Sequence, residues 1–105
     1  MRLEAKTVLV TGASKGIGHA IAVGCAREGA DVFVNYNTDR AGAEEAAEAV
    51  RRAGRKAWVV PGDIRKPDHI VRMFEMARRE VAALHALINN AGITGWTPLF
   101  EITVE

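Results

Sequence analysis

The hydrophobic period of this chain switches back and forth between strand and helix, and that alternation restricts its possible folds more than any other feature. Thr7-Val8-Leu9-Val10-Thr11 is a short β-branched run stopping at Gly12, the pattern of a strand buried on both faces. A helix is expected from Gly16 to about Glu28, with Ile17, Ile21 and Cys25 on one face and Gly29 as its stop. Val32 to Tyr36 reads as a second buried strand. The alanine-rich stretch from Arg40 to Ala53 reads as a second helix, ended by Gly54. Ala57 to Val60 is a third strand, closed by Pro61-Gly62. Ile70, Met73, Phe74, Ala77 and Val81 then form one apolar stripe of a third helix, with Pro67 near its first turn. Leu87-Ile88 is a short fourth strand, followed by a loop from Asn90 to about Thr103.

Strand and helix three times over, then a strand, implies parallel strands joined by right-handed crossovers. The expectation is α/β: the N-terminal part of a doubly wound parallel sheet of order 3-2-1-4. Helices one and two cover one face and helix three the other. At 105 residues this is a single domain, residues 1–105, with a core of little spare stability.

Composition narrows the partners. Fourteen Lys and Arg against thirteen Asp and Glu leave a formal charge of +1, which gives no electrostatic footprint for nucleic acid or a lipid surface. The basic clusters Arg51, Arg52, Arg55, Lys56 and Arg78, Arg79 fall near helix C-termini, where cations complement the helix dipole. One cysteine, Cys25, excludes an internal disulfide and suits a reducing compartment. Met1 to Lys6 has no apolar signal core and no segment approaches a membrane span, so a cytoplasmic protein is expected. No metal-ligating set is expected.

Two turns carry the chemistry. Thr11-Gly12-Ala13-Ser14-Lys15-Gly16-Ile17-Gly18 joins the first strand to the first helix. Gly12 permits a sharp turn, Gly16 lets backbone N–H groups approach a pyrophosphate, and Gly18 lets helix pack closely on strand. Glycine-rich turns also occur for conformational reasons alone, but the strand–turn–helix context is the one that phosphate binding requires. Asn89-Asn90-Ala91-Gly92 follows the fourth strand. In a 3-2-1-4 sheet it faces the glycine loop across the crevice where strand order reverses. Its amides can hold strand ends and a ribose, or merely cap the strand.

Thr-Gly-x-x-x-Gly-Ile-Gly at 11–18, Asp63 after the third strand and Asn-Asn-Ala-Gly at 89–92 together resemble the short-chain dehydrogenase/reductase family. Val34-Asn35-Tyr36-Asn37 and the segment 92–100 are similar to its 3-oxoacyl-carrier-protein reductase and glucose dehydrogenase branch. The resemblance spans essentially the whole chain. It implies a Rossmann fold that binds NAD or NADP and serves hydride transfer between the nicotinamide and a carbonyl or alcohol. It also implies that Gly12, Ser14, Lys15, Gly16, Ile17 and Gly18 surround the pyrophosphate and adenine ribose. Asn37 is implied near that ribose, Asp63 and Ile64 beside the adenine, and Asn90, Ala91 and Gly92 along the nicotinamide ribose.

NADP is the expected cofactor. An acid about 20 residues beyond the loop would bind ribose hydroxyls, but Asn35, Tyr36 and Asn37 stand there, with Asp39 only later. Lys15 and Arg40 offer positive charge for a 2′-phosphate, although Arg40 reads equally well as a solvated surface cation. Ala82 and His85 depart from the family's usual Gly and Asp around the fourth strand. His85, His19 and His69 read as surface residues, and Trp58 and Trp96 as packing residues.

The family's catalytic serine and its Tyr-x-x-x-Lys pair have no counterpart in these residues. Tyr36 is the only tyrosine and is followed by Asn37-Thr38-Asp39-Arg40, so no catalytic residue is assigned. Thr103 reads as the N-cap of a further helix, which makes a fragment of a longer polypeptide the simplest expectation. The intact protein is then a homo-oligomeric oxidoreductase whose C-terminal half completes the fold. These 105 residues alone are expected to be inactive, and to be partly unfolded, to aggregate, or to associate through the open edge of strand four and the uncovered sheet face. The alternatives are a free-standing dinucleotide-binding module without catalysis, or a truncated product with no function.

Overall fold

The short β-branched runs do become buried parallel strands, and the alanine-rich and amphipathic stretches become the helices that cover them. A computed structural model describes residues 3–13 and 16–90. Along the chain it runs β1 (Thr7–Val10), α1 (Gly16–Arg27), β2 (Asp31–Tyr36), α2 (Arg40–Arg52), β3 (Ala57–Pro61), α3 (Pro67–Glu80) and β4 (Ala86–Ile88). The sheet order is β3-β2-β1-β4 with every pair parallel, as the alternation requires. Leu9 stands opposite Phe33 in β2 and Leu87 in β4, so β1 sets the register of β2 and β4, and β2 in turn sets that of β3, where Trp58 stands opposite Phe33.

Side chains alternate across this sheet and divide the core in two. Val8, Val10, Val32, Val34 and Tyr36 point to the layer of α1 and α2, where they meet Ala22, Ala26, Ala43, Ala47 and Val50. Leu9, Phe33 and Val60 point the other way, to Met73 and Ala77 of α3. The small alanines on α1 and α2 let both helices approach the sheet closely. The α3 layer is looser: Ile64, Ile70, Leu84 and Leu87 are only partly buried there. Trp58 packs as expected, stacked on Phe33 with ring centroids 4.3 Å apart and planes 17° from parallel.

One helix face differs from its sequence reading. Ile17 was expected to begin the buried stripe of α1, yet it is 57% exposed. The buried residues are Gly18, Ala22, Cys25 and Ala26. The helix rests on the sheet through its smallest residue at the N-terminal end, which rotates the stripe by one position and leaves Ile17 facing solvent. Burial also pushes the Cys25 thiol above its ordinary pKa, because the thiolate would lose its water.

Arg51 in the last turn of α2, and Arg55 and Lys56 just after it, are structural. Arg51 donates to the Ala57 carbonyl at 2.9 Å, and Arg55 pairs with Asp31 at 3.2 Å. The same Asp31 oxygen accepts from the Lys56 N–H at 2.9 Å. Together these bonds fix where β3 begins against β2. Among the described residues no helix is long and apolar enough to cross a membrane, and no cluster of metal-binding side chains occurs.

Candidate dinucleotide-binding site

At the carboxyl end of β1 the chain must leave the sheet and enter α1 within a few residues. Gly12 does so at φ 61° and Gly16 enters the helix at φ 64°, both in the left-handed region that glycine tolerates best. Gly18 serves a different purpose. A Cβ built there would collide with the Gly12 carbonyl oxygen and lie 2.6 Å from Asn90 Nδ2. Only a residue without a side chain lets α1 come this close to the two turns beside it.

The turns after β1 and β4 are bonded to each other. The Thr11 N–H donates to the Ile88 carbonyl at 3.0 Å, continuing the sheet one residue past β1. The Thr11 hydroxyl accepts from the Asn90 N–H at 2.8 Å and lies 3.2 Å from Asn89 Oδ1, to which it can donate. Asn90 Nδ2 donates to the Gly12 carbonyl at 3.3 Å. The two turns expected to face each other across the crevice are thus one hydrogen-bonded unit, with Gly18 underneath. The Thr11 hydroxyl is the connector that sequence reading passed over.

Asn35, one of the non-acidic residues that end β2, turns its side chain beneath the glycine loop. It is 1% exposed, on the α3 side of the sheet beneath the glycine loop. Its Oδ1 accepts from the Gly12 N–H at 3.1 Å, and its main-chain carbonyl accepts from the Ala13 N–H at 2.9 Å. Its Nδ2 faces the Val60 carbonyl at 3.2 Å, the Gly62 carbonyl at 3.1 Å and Met73 Sδ at 3.0 Å. An asparagine on the inward face of an apolar strand is the signal that could have pointed to this role, since buried amides need partners.

A second group gathers at the ends of β2 and β3. Exposed Asn37 and buried Asp63 line one open cleft of about 250 Å³ with His69, Arg72 and Gly62. The Asp63 carboxylate accepts from the Arg65 N–H at 3.0 Å, from Arg65 Nε at 3.0 Å and from Arg65 Nη2 at 2.9 Å. These hydrogen bonds, the guanidinium first and the backbone second, hold its pKa well below the usual carboxylate range. The guanidinium is 80% exposed, so water screens the pair. The Asp63 N–H donates to His69 Nδ1 at 3.0 Å, which ties the turn back to α3. His85 plays a similar part at the start of β4, where its Nδ1 accepts from the Thr7 N–H at 3.0 Å.

Ile64 lines a narrower cleft of about 100 Å³ with Thr11, Leu87 and Asn89, between α3 and the ends of β1 and β4. All the described candidates therefore sit on the carboxyl edge of the sheet: Gly12, Gly16, Ile17, Gly18 and Asn90 in one group, Asn37, Asp63 and Ile64 beside it. Ser14, Lys15, Ala91 and Gly92 lie outside the described residues. Asp39 is spent as the N-cap of α2, accepting from the Gly42 N–H at 2.9 Å, and Arg40 is paired with Glu44 at 3.5 Å.

Residues 6–105 match the family model for short chain dehydrogenases. The chain belongs to that family. An uncharacterized oxidoreductase of Methylorubrum extorquens is 41% identical over 104 residues, 99% of this chain and 42% of that protein. Glucose 1-dehydrogenase 2 of Bacillus subtilis is 40% identical over 93 residues, 89% of this chain and 36% of its own length. A Burkholderia cenocepacia structure with bound NADP superposes with a TM-score of 0.80 at 34% identity, covering 84% of this chain and 34% of that one. The short-chain dehydrogenase segment described here thus spans about two-fifths of the length of these curated relatives.

Two expectations follow from the geometry. Gly18→Ala forces its Cβ against backbone and should lower stability by about 1–3 kcal/mol, the usual cost of overpacking. Gly24→Ala meets nothing within 4 Å in the same helix and should raise stability by roughly 0.5–1 kcal/mol. Urea denaturation of both variants checks the opposite signs; a stabilised Gly18→Ala would refute the close approach. Asp63, with its folded pKa depressed below the unfolded value near 3.9, contributes stability above that pH and loses it as pH falls through the folded value. Carboxyl-carbon NMR titration should find Asp63 ionised below the ordinary aspartate range and returned toward it in Arg65→Met. An ordinary midpoint in the wild type would contradict the pairing.

Proposed function

We propose that this chain is the cofactor-binding segment of an NAD(P)-dependent oxidoreductase. The intact protein moves hydride between the nicotinamide and a carbonyl or alcohol substrate. The observation that carries the reading is the bonded junction of Thr11, Gly12, Gly18 and Asn90, which sets a helix N-terminus and an asparagine turn side by side at the strand-order switch.

The residues present fit a dinucleotide. Among the described residues a Cβ at Gly16 would meet nothing within 4 Å, which leaves room for a ligand beside Gly16. The first N–H groups of α1 have no partner inside their own helix, and the helix dipole there favours a pyrophosphate. In this reading Ser14, Lys15, Gly16, Ile17 and Gly18 hold the phosphates, with Gly12 shaping the turn. Asn37 meets the adenine ribose, Asp63 and Ile64 flank the adenine, and Asn90, Ala91 and Gly92 border the nicotinamide ribose. The nicotinamide, when bound, accepts or delivers the hydride. Proton transfer and substrate orientation fall to the serine, tyrosine and lysine of the family, which these 105 residues do not supply. We therefore assign this segment cofactor binding alone. The rest of the fold would come from a C-terminal half, in a cytoplasmic homo-oligomer.

NADP is the preferred cofactor in this proposal. The residues that end β2 and follow it directly are Asn35, Tyr36 and Asn37, and the first acid, Asp39, is turned to the N-terminus of α2, where its carboxylate accepts from the Gly42 N–H. The family neighbour with bound NADP agrees with that preference. Lys15 is the charge assigned to the 2′-phosphate. Fluorescence titration of the full-length protein should show Lys15→Ala weakening NADPH far more than NADH. Equal loss for both would make Lys15 a general phosphate contact and remove the argument for NADP.

A further inference from the structure

We propose that Asn35 is a positioning residue for the glycine loop, which restricts the phosphate-binding amides to those beyond Ala13. The inference deepens the dinucleotide reading and rests on it. Asn35 is the only residue whose side chain contacts the glycine loop, β3 and α3 together among the described bonds. Its orientation is fixed by its partners' chemistry. The Gly12 N–H can only donate, and the Val60 and Gly62 carbonyls can only accept, so Oδ1 must face the loop and Nδ2 must face β3. Nδ2 has two hydrogens and several acceptors within reach, so the amide stays satisfied through small movements of β3.

The consequence is a division of labour within the loop. The Gly12 and Ala13 N–H groups would otherwise be the first donors to reach an anion after β1. Both are already donated to Asn35, one to its side chain and one to its main chain. A phosphate must then be held by N–H groups farther along, at the start of α1. Because Gly12 is held from below by Asn35 and its carbonyl from the side by Asn90, the start of the turn, at Gly12 and Ala13, is built before any ligand arrives. Pre-organisation of that kind removes an ordering cost from binding.

Amide hydrogen exchange on the full-length protein, residue by residue by NMR, tests this without cofactor and then with NADPH. Without cofactor, Gly12 and Ala13 should exchange much more slowly than exposed Gly16 and Ile17. Saturating NADPH should slow Gly16 to Gly18 and leave Gly12 and Ala13 unchanged. Asn35→Ser, too short to reach the loop, should speed Gly12 exchange and raise the NADPH Kd about tenfold, the loss of one ordinary hydrogen bond. Asn35→Asp keeps the acceptor and should preserve slow Gly12 exchange, while exchange at Phe33 and Val34 stays slow in both variants. A merely structural role would lower thermal stability without loosening Gly12 selectively. Should neither variant fold, the wild-type measurement decides: Gly12 and Ala13 amides that exchange fast and slow only with NADPH would overturn the inference. A wild type that binds neither NADPH nor NADH would defeat the dinucleotide reading instead, and slow Gly12 exchange would still distinguish that failure from a loose loop.

Discussion

The missing side chain at Gly18 is the constraint on which the rest of this site depends. Because nothing projects from that position, α1 settles against the Gly12 carbonyl and the Asn90 amide, atoms that a Cβ would displace. Settling there puts Ala22, Cys25 and Ala26 into the core and leaves Ile17 facing solvent. The helix seats against turns that the pairing of β1 with β4 has already brought together and that Thr11 joins. One atom's worth of space therefore links helix packing and the shape of a binding crevice. The same close approach leaves the helix N-terminus, with its unpartnered N–H groups, facing the place where an anion would lie.

Polar atoms below this crevice are arranged as carefully as the apolar ones. Asn35 is buried in a layer otherwise made by Leu9, Phe33, Val60 and Met73. A buried amide without partners would cost stability, and every buried side-chain polar atom among the described residues has one. Asp63 is similar at the neighbouring strand end, held by Arg65 on its carboxylate and by His69 on its N–H. The carboxyl edge of the sheet is thus pinned at β1, β2, β3 and β4 by side chains reaching backbone. Such a frame suits a rigid cofactor platform better than a mobile loop would.

Much of this could be read from the residues. β-branched runs and glycine stops placed each strand to within one or two residues, and the alternation gave the sheet order and the side of the sheet that each helix covers. The glycine loop and Asn90 were legible because their chemistry is local: a turn, a close approach, an amide. What escaped depended on rotation and reach. Ile17 was assigned to the buried stripe because a helical period alone does not say which residue starts it. Asn35 was noted only as a residue at the end of β2 that is not an acid, whereas its role follows from which side of the sheet it faces. The Thr11 hydroxyl and the His69 and His85 rings are engaged across long sequence separations or around a turn, which spacing does not reveal.

Whether the two turns form one binding site is settled most directly by heteronuclear NMR during titration of the protein with NADPH. The Gly16 to Gly18 backbone amides and the Asn90 side-chain amide should shift together along a single binding curve. Shifts confined to the Asn37 and Asp63 cleft, or separate curves for the loop and for Asn90, would contradict a shared crevice at the junction of β1 and β4.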